Sequence, residues 1–448
     1  MCDRPILAAL AVLLLGSGAL ASPSDEDTEA PAEAEGLLPV PTYPGDLATR
    51  SWLLGDLDGW RTDLANRGVQ FGIEWTQTLQ SVVDGGRDQK TRYGGSLDYT
   101  VTLDLHKMGI APGALVSMRA ESRYGETVNA LAGSLLPVNV DGFFPLTSEL
   151  DEDLALTITA LNYTQFLSPK FGVFLGKVDT LDGDLNEFAS GRGVTQFQNA
   201  AFIFNPVAGL TVPYSTLAVG VVWLPTPEVQ VTSTLMNARD SSTTTGFDDF
   251  GEGWLWSSEL RFQYRLGDLP GGQTISVLYA GDEEFTSLGN GFVFQPGEGL
   301  AALTTDETWY VSWNGWQYLT TEEPAEGPLN LLNRIPDLQG VGLFARVGAA
   351  DKNTNPIDWS VSGGIGGRGV IPGRDDDVFG VGYFYSHLQP LRITGILGLD
   401  DHVHGAEAFY NIALTPAAFL TLNGQVIEDA LPATDTTLIL GMRLHVRF

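Results

Sequence analysis

The sequence predicts an all-β protein, a transmembrane antiparallel β-barrel of about 16 strands (16–18) preceded by a short amphipathic N-terminal helix. Three observations point there. The last strand, Thr437–Phe448 (TLILGMRLHVRF), is apolar at every second residue counted from its end: Phe448, Val446, Leu444, Met442, Leu440 and Leu438. Such alternation gives a strand two unlike faces. Mean hydropathy is only +0.03, and no later run of roughly 18 uncharged apolar residues occurs, which excludes helical spans. A middling average is what alternating lipid-facing and lumen-facing residues produce. Finally, the polar faces of the predicted strands are heavily charged, and their apolar faces carry aromatic residues near the strand ends.

From the front, Met1–Ala21 reads as a secretory signal, with Arg4 as its charge, Ile6–Leu15 as its apolar core and Ala19-Leu20-Ala21 as the cleavage site. The single cysteine, Cys2, leaves with it, so the mature chain is expected to have no disulfide, thiolate metal site or cysteine nucleophile. Residues 22–50 read as an acidic, disordered periplasmic lead. In its first part Asp25, Glu26, Asp27, Glu29, Glu33 and Glu35 stand among Ala, Pro and Ser without a cation, too little apolar surface to order the chain. Residues 51–448 are assigned to the barrel and its helix. That helix is predicted over Ser51–Arg67, where Leu53, Leu57, Trp60 and Leu64 recur at helical spacing and Gly68 stops it. Its apolar face needs a partner, which a barrel mouth supplies.

From Val69 the period becomes two. Phe71, Ile73, Trp75 and Leu79 face one way, and Glu74, Thr76, Thr78 and Gln80 the other. Leu97, Tyr99, Val101 and Leu103 alternate with Ser96, Asp98, Thr100, Thr102 and Asp104. Val116, Met118, Ala120 and Tyr124 alternate with Ser117, Arg119, Glu121 and Arg123. Leu260, Phe262, Tyr264 and Leu266 alternate with Glu259, Arg261, Gln263 and Arg265. Trp75, Tyr99, Tyr124, Trp223, Trp254, Trp256 and Tyr264 fit interfacial girdles. Short turns (Ala111–Gly113, Leu269–Gly272) alternate with long irregular stretches (Arg123–Asp153, Glu283–Thr308), the asymmetry of periplasmic turns and outer loops. About 380 residues at 9–11 per strand, with turns and loops taking as much again, give the strand count and a water-filled channel.

A strand that ends on Phe448 with apolar residues stepping back by two resembles the closing strand of bacterial outer-membrane barrels, and its terminus resembles their assembly signal. Four ordered blocks make the resemblance specific. Leu53–Trp75 (LLGDLDGWRTDLANRGVQFGIEW) is similar to the opening of the carbohydrate-selective porins of the OprB type. Gly176–Asp179 (GKVD), with Phe188-Ala189 and Gln196–Phe202 (QFQNAAF), resembles their middle. Gly363–Ser386 resembles their most distinctive stretch, and Ala406–Ile427 their penultimate hairpin. The resemblance implies a 16-stranded outer-membrane porin that passes glucose and other small sugars through a constriction lined with basic groups. It implies small sugars, outer-membrane lipid and the barrel-assembly machinery as partners; homo-oligomerisation is left open. Two departures stand out: Asp375 follows Arg374 where the family often has proline, and this chain is more acidic.

The formal charge of −31 argues against nucleic-acid binding. Gly364–Gly369 matches G-x-G-x-x-G, but Pro372 and Gly373 follow where a helix would have to start, so it is no dinucleotide site. Asp182, Asp184 and Asn186 begin like a calcium loop, yet Glu187 and Gly193 stand where glycine and glutamate are needed. Asp375–Asp377 and the Asp400–His404 cluster read as solvated loop acids. No metal or other cofactor is expected. No G-x-S-x-G or H-E-x-x-H occurs, and no enzyme is expected. The informative set is arginine on polar faces, in a chain with only 24 cations: Arg119, Arg123, Arg261, Arg265, Arg346, Arg368, Arg443 and Arg447. A guanidinium fork suits sugar hydroxyls, and equally it braces the wall against nearby acids. The candidate pore-lining residues are therefore Arg119, Glu121, Arg123, Glu259, Arg261, Arg265, Arg346, Arg368 and Arg374, with Arg123 and Arg368 expected at the constriction and His445 lining the lumen. Phe448 is the candidate assembly signal. A general or cation-preferring porin is the alternative to sugar selectivity; a barrel enzyme or adhesin finds no supporting cluster.

Overall fold

The computed structural model describes residues 36–288, 292–295, 299–322, 338–389, 398, 400–430 and 435–448. The predicted signal and residues 22–35 of the acidic lead lie outside them. One helix and sixteen strands make the frame. Helix α1 is Trp60–Asn66. The strands are β1 (Val69–Asp84), β2 (Thr91–Asp104), β3 (Ala114–Gly125), β4 (Leu154–Ser168), β5 (Phe171–Asp179), β6 (Ser215–Thr226), β7 (Val229–Asn237), β8 (Trp254–Leu266) and β9 (Leu269–Thr286). A small hairpin, β10 (Phe292–Gln295) and β11 (Gly299–Ala302), lies outside the barrel sheet. The barrel continues with β12 (Thr304–Thr321), β13 (Gly340–Ala350), β14 (Ile357–Arg368), β15 (Val378–Leu388), β16 (His402–Thr415), β17 (Ala418–Glu428) and β18 (Thr437–Arg447). Each pairs antiparallel with its neighbour, and β1 closes on β18 with Trp75 opposite Val446 and Thr78 opposite Arg443. Closure leaves no sheet edge with unpaired peptide groups, the condition for strands to lie in hydrocarbon.

The faces are inverted relative to a soluble sheet. On β18, Leu440 and Met442 are 51% and 47% exposed, while Arg443 and His445 are 0% and 1% exposed. Polar groups sit inside and apolar ones outside, because the outer face meets lipid. The alternation read from the sequence is this division.

One rim carries α1, the start of β1, the end of β18, and two-residue turns at 169–170, 227–228, 267–268 and 416–417. The other carries long connections, 126–153, 180–214 and 238–253. We call them the helix rim and the loop rim. Leu269–Gly272, expected as a turn, is the start of β9; the chain reverses at Gly267, whose φ is +65°.

The helix is shorter than predicted. Gly55, Leu57, Asp58 and Gly59 all take positive φ, so the chain is coiled in turns until Trp60. Its buried residues are Arg61 and Ala65 rather than a leucine stripe. Residues 36–50, expected in the disordered lead, pack on the barrel instead: Leu37, Leu38 and Tyr43 are buried, and the amides of Leu37 and Leu38 donate to Asp104 Oδ2 at 2.5 and 3.0 Å.

The lumen is partly filled. Segment 180–214, with helical turns at Ala200–Ile203 and Pro206–Gly209, folds inward and joins an apolar cluster of Phe188, Phe197, Phe202, Phe344, Phe384 and Phe409. The glycines of β13–β15 make this possible. A Cβ on Gly342 would stand 2.3 Å from the Phe188 ring, and one on Gly382 would stand 2.5 Å from the Phe202 ring. The glycine-rich stretch therefore serves as sockets for aromatic knobs.

Candidate functional site

Segments 126–153 and 180–214 meet each other inside the barrel, with Val140 N donating to Gln198 O at 3.0 Å and Ala200 N to Pro137 O at 2.9 Å. Between them and the β1–β3 wall lies a narrow, solvent-connected cavity. Its chemistry comes from Glu74, Asp98, Arg119, Glu121, Asp141, Arg192 and Tyr214, and Phe144 adds an apolar wall.

Lumen-facing positions on β2 and β3 bring Asp98 opposite Glu121 and put Arg119 one rung away. Arg119 Nη1 reaches Asp98 Oδ1 at 3.0 Å. Glu121 accepts from Tyr214 Oη at 2.7 and 2.9 Å, from Thr159 Oγ1 at 2.8 Å, and from Arg192 Nη2 at 3.3 Å. Arg192 also meets Asp179 at 2.8 Å and Asp182 at 3.2 Å, and donates to Tyr214 Oη at 2.7 Å. Burial works against its charge, but the surrounding Asp179, Tyr214, Asp182 and Glu121 hold the Arg192 guanidinium well above its ordinary range. Burial pushes the Tyr214 hydroxyl well up despite Arg192, so it stays a donor. Asp141 takes a 2.6 Å bond from Ser96 Oγ, and burial pushes its carboxyl up to about 6. The Phe144 and Tyr214 rings stack at 4.5 Å and 15°. Fixed donors, fixed acceptors and a flat apolar face thus share one small space, an arrangement that suits a neutral polyhydroxylated solute.

The sequence-selected residues divide into groups. Arg119 and Glu121 line this cavity. Arg123, near the loop rim, turns away into segment 126–153 and donates to the carbonyls of Gly142, Phe143 and Pro145 at 3.3, 2.8 and 3.0 Å. Arg368 ends β14 at the helix rim, ion-paired with Asp376 at 2.5 Å, while Arg374 holds Asp377 at 2.7 Å in the following turn. Arg123 and Arg368 therefore do not meet; antiparallel pairing sends the ends of β3 and β14 to opposite rims. Glu259 and Arg261 pair at 2.7 Å on β8, and Arg265 lies beyond them opposite Pro270. Arg346 does not line the cavity: it is 0% exposed and spends its donors on segment 180–214. The calcium-like acids are absorbed likewise, Asp182 by Arg192 and Asp184 by Arg346. His445 is buried, with its Nδ1 at 3.1 Å from Thr76 Oγ1. Phe448 donates its amide to Ile73 O at 2.8 Å.

The candidate residues read from the sequence do not include Arg192, Asp98, Asp141, Asp179 or Tyr214. One signal was available for Arg192: it is the only cation between Lys177 and Arg239. Nothing in the sequence says that its loop turns inward.

Comparison with known proteins agrees with this architecture. Residues 88–448 match the family model described as carbohydrate-selective porin, OprB family. Porin B of Pseudomonas aeruginosa is 24% identical over 440 residues, covering 89% of this chain and 91% of that protein. Among solved structures, the high-pH structure of Pseudomonas putida OprB superposes with a TM-score of 0.74 at 20% identity, over 90% of this chain and 99% of that one. Its low-pH structure gives 0.56 at 18% identity over the same shares. With a closed barrel of sixteen strands, a lipid-type outer face and this family match, the chain belongs to the OprB family of carbohydrate-selective porins of the bacterial outer membrane.

Proposed function

We propose that the protein passes glucose-type sugars by passive diffusion, and that the cavity between β1–β3 and the two infolded segments selects them. The observation that carries this reading is the pairing of Arg119, Glu121 and Arg192 with the stacked Phe144–Tyr214 face. Guanidinium and carboxylate groups supply hydroxyl partners, and the ring face receives the apolar side of a pyranose. Because the charged groups already satisfy one another, each solute contact replaces an existing bond. Binding stays weak, which a conducting channel requires. In this reading the helix rim faces the periplasm and the loop rim the exterior.

Purified protein in liposomes should admit monosaccharides faster than disaccharides in a swelling assay, and glucose should partly block ion current in planar bilayers. Arg192→Ala and Arg119→Ala should weaken that block while the barrel remains heat-modifiable. Ion current indifferent to sugar, with control porins responding, removes the reading. A cation-preferring general porin is the second reading, favoured by the excess of carboxylates (Glu74, Asp98, Glu121, Asp141) over guanidinium groups at the cavity. Reversal potentials across a salt gradient separate the two.

A further inference from the structure

Two arginines of the wall are fully buried and do not line the cavity. Arg346 on β13 donates through Nε to Asp184 Oδ2 at 2.8 Å and through Nη1 to Phe202 O at 2.9 Å. Its Nη2 reaches Asp184 O at 3.0 Å and Ala189 O at 2.5 Å. Arg443 on β18 donates to Gly193 O, to Gln196 O at 2.9 Å and to Thr421 Oγ1 at 3.1 Å. Each residue is 0% exposed. Their partners bracket one residue: Asp184 and Ala189 precede Arg192, Gly193 and Gln196 follow it. Arg192 itself sits at φ 54°, in the left-handed region, between two glycines with φ +78° and +79°. Such a turn has little stiffness of its own. Its side chain nevertheless has to reach Asp179, Asp182 and Glu121 together.

We propose that Arg346 and Arg443 are positioning residues: they fix the 184–196 backbone from behind so that Arg192 is presented to Glu121 and the passage at one place. A buried guanidinium suits this task because its five donors are laid out in a rigid plane and can hold several carbonyls at once. Glu407 on β16 supports the same segment by accepting the amides of Gln198 and Asn199 at 2.7 and 2.9 Å. The inference refines the proposed cavity and, for its sugar readout only, rests on that reading.

The test is a double-mutant cycle in planar bilayers, with refolded, heat-modifiable protein. Arg346→Met should raise single-channel conductance, produce several open levels, and raise the glucose concentration for half block about fivefold, as when a fixed contact becomes a mobile one. Arg192→Ala should raise half block at least as far. In the Arg192→Ala background, Arg346→Met should move half block by less than about twofold, since its effect runs through Arg192. Equal shifts in both backgrounds overturn the proposal. Should Arg346→Met fail to fold, Arg346→Lys and Arg443→Lys carry the same cycle; each keeps one donor group and should give an intermediate shift, and wild-type conductance and block in both overturn it. If wild type shows no glucose block, the sugar reading fails on its own. The inference is then judged on ion selectivity, where Arg346→Met should move the reversal potential towards that of Arg192→Ala, and no movement overturns it.

Discussion

Arg61 shows how one residue closes a barrel. Its guanidinium lies 4.6, 4.5 and 4.8 Å from the ring centres of Tyr43, Trp52 and Phe71, and it donates to Phe71 O at 2.9 Å and Phe448 O at 3.2 Å. N-terminal segment, first strand and C-terminal residue are thereby held at one point. Arg61→Ala removes desolvated cation–π contacts and two charged hydrogen bonds, a loss of about 2–4 kcal/mol. The temperature at which the folded band disappears on unheated gels should fall. Asp141 gives a pH prediction. Its folded carboxyl titrates at about 6 against an ordinary 3.8, raised by burial and by Asp98, and lowered by Ser96, Arg443 and Arg192. A raised acid stabilises the fold fully below 3.8 and loses that contribution as pH rises through about 6. Over the same window the cavity gains a negative charge. Cation preference, read from reversal potentials, should step up with a midpoint near pH 6, and Asp141→Asn should flatten the step. At this scale the sequence was only partly legible. Arg119 and Glu121 follow from alternation on one strand, whereas Arg192 and Asp141 depend on how far two long loops turn inward, which no local period encodes.

At the scale of elements, strands were read well because their two faces meet different media; a residue error of one would turn every side chain over. The sequence predicts α1 too long because leucines at helical spacing outweigh glycines that the structure uses at positive φ. The use of Gly366 in the glycine-rich stretch of β14 has no sequence signal, since Phe188, whose ring it accommodates, lies 178 residues away. Gly342→Val tests the socket. Its side chain would collide with the Phe188 ring and with Gln317 O, 2.6 Å from the ideal Cβ. Overpacking of this kind costs about 1–3 kcal/mol. The barrel should still form, with the infolded segment displaced and single-channel conductance altered. The last strand makes a different prediction. Deleting Phe448 removes the terminal aromatic of β18, the amide bond to Ile73 and the residue Arg61 holds. Membrane-inserted, heat-modifiable protein should fall sharply in cells, measured by fractionation. Normal insertion would show that the assembly signal lies elsewhere.

At the scale of the whole molecule, the barrel is divided along its length. Segment 180–214 is fixed to the wall through Tyr318 and Asn314 on β12, Arg346 on β13, Ser360 on β14, Glu407 on β16 and Arg443 on β18. It carries its own apolar core against that wall. The cavity is left beside β1–β3. The same division explains why so many predicted lumen groups are buried rather than wet: the inner wall on the β12–β18 side faces protein. It also makes an asymmetry that chemistry can read. The only cysteine in the sequence is Cys2, within the predicted signal, so an introduced thiol is the only one in the barrel strands. Glu74 on β1 borders the cavity, whereas Ser386 on β15 is an inward residue with 0% exposure. Glu74→Cys should react within minutes with a charged, water-soluble methanethiosulfonate reagent, and single-channel current should drop on modification. Ser386→Cys should stay unmodified until the protein is heated, because water reaches that face only when the infolded segment leaves it. Equal reactivity at the two positions would mean that solute travels along both walls, and that the infolded segment opens during conduction.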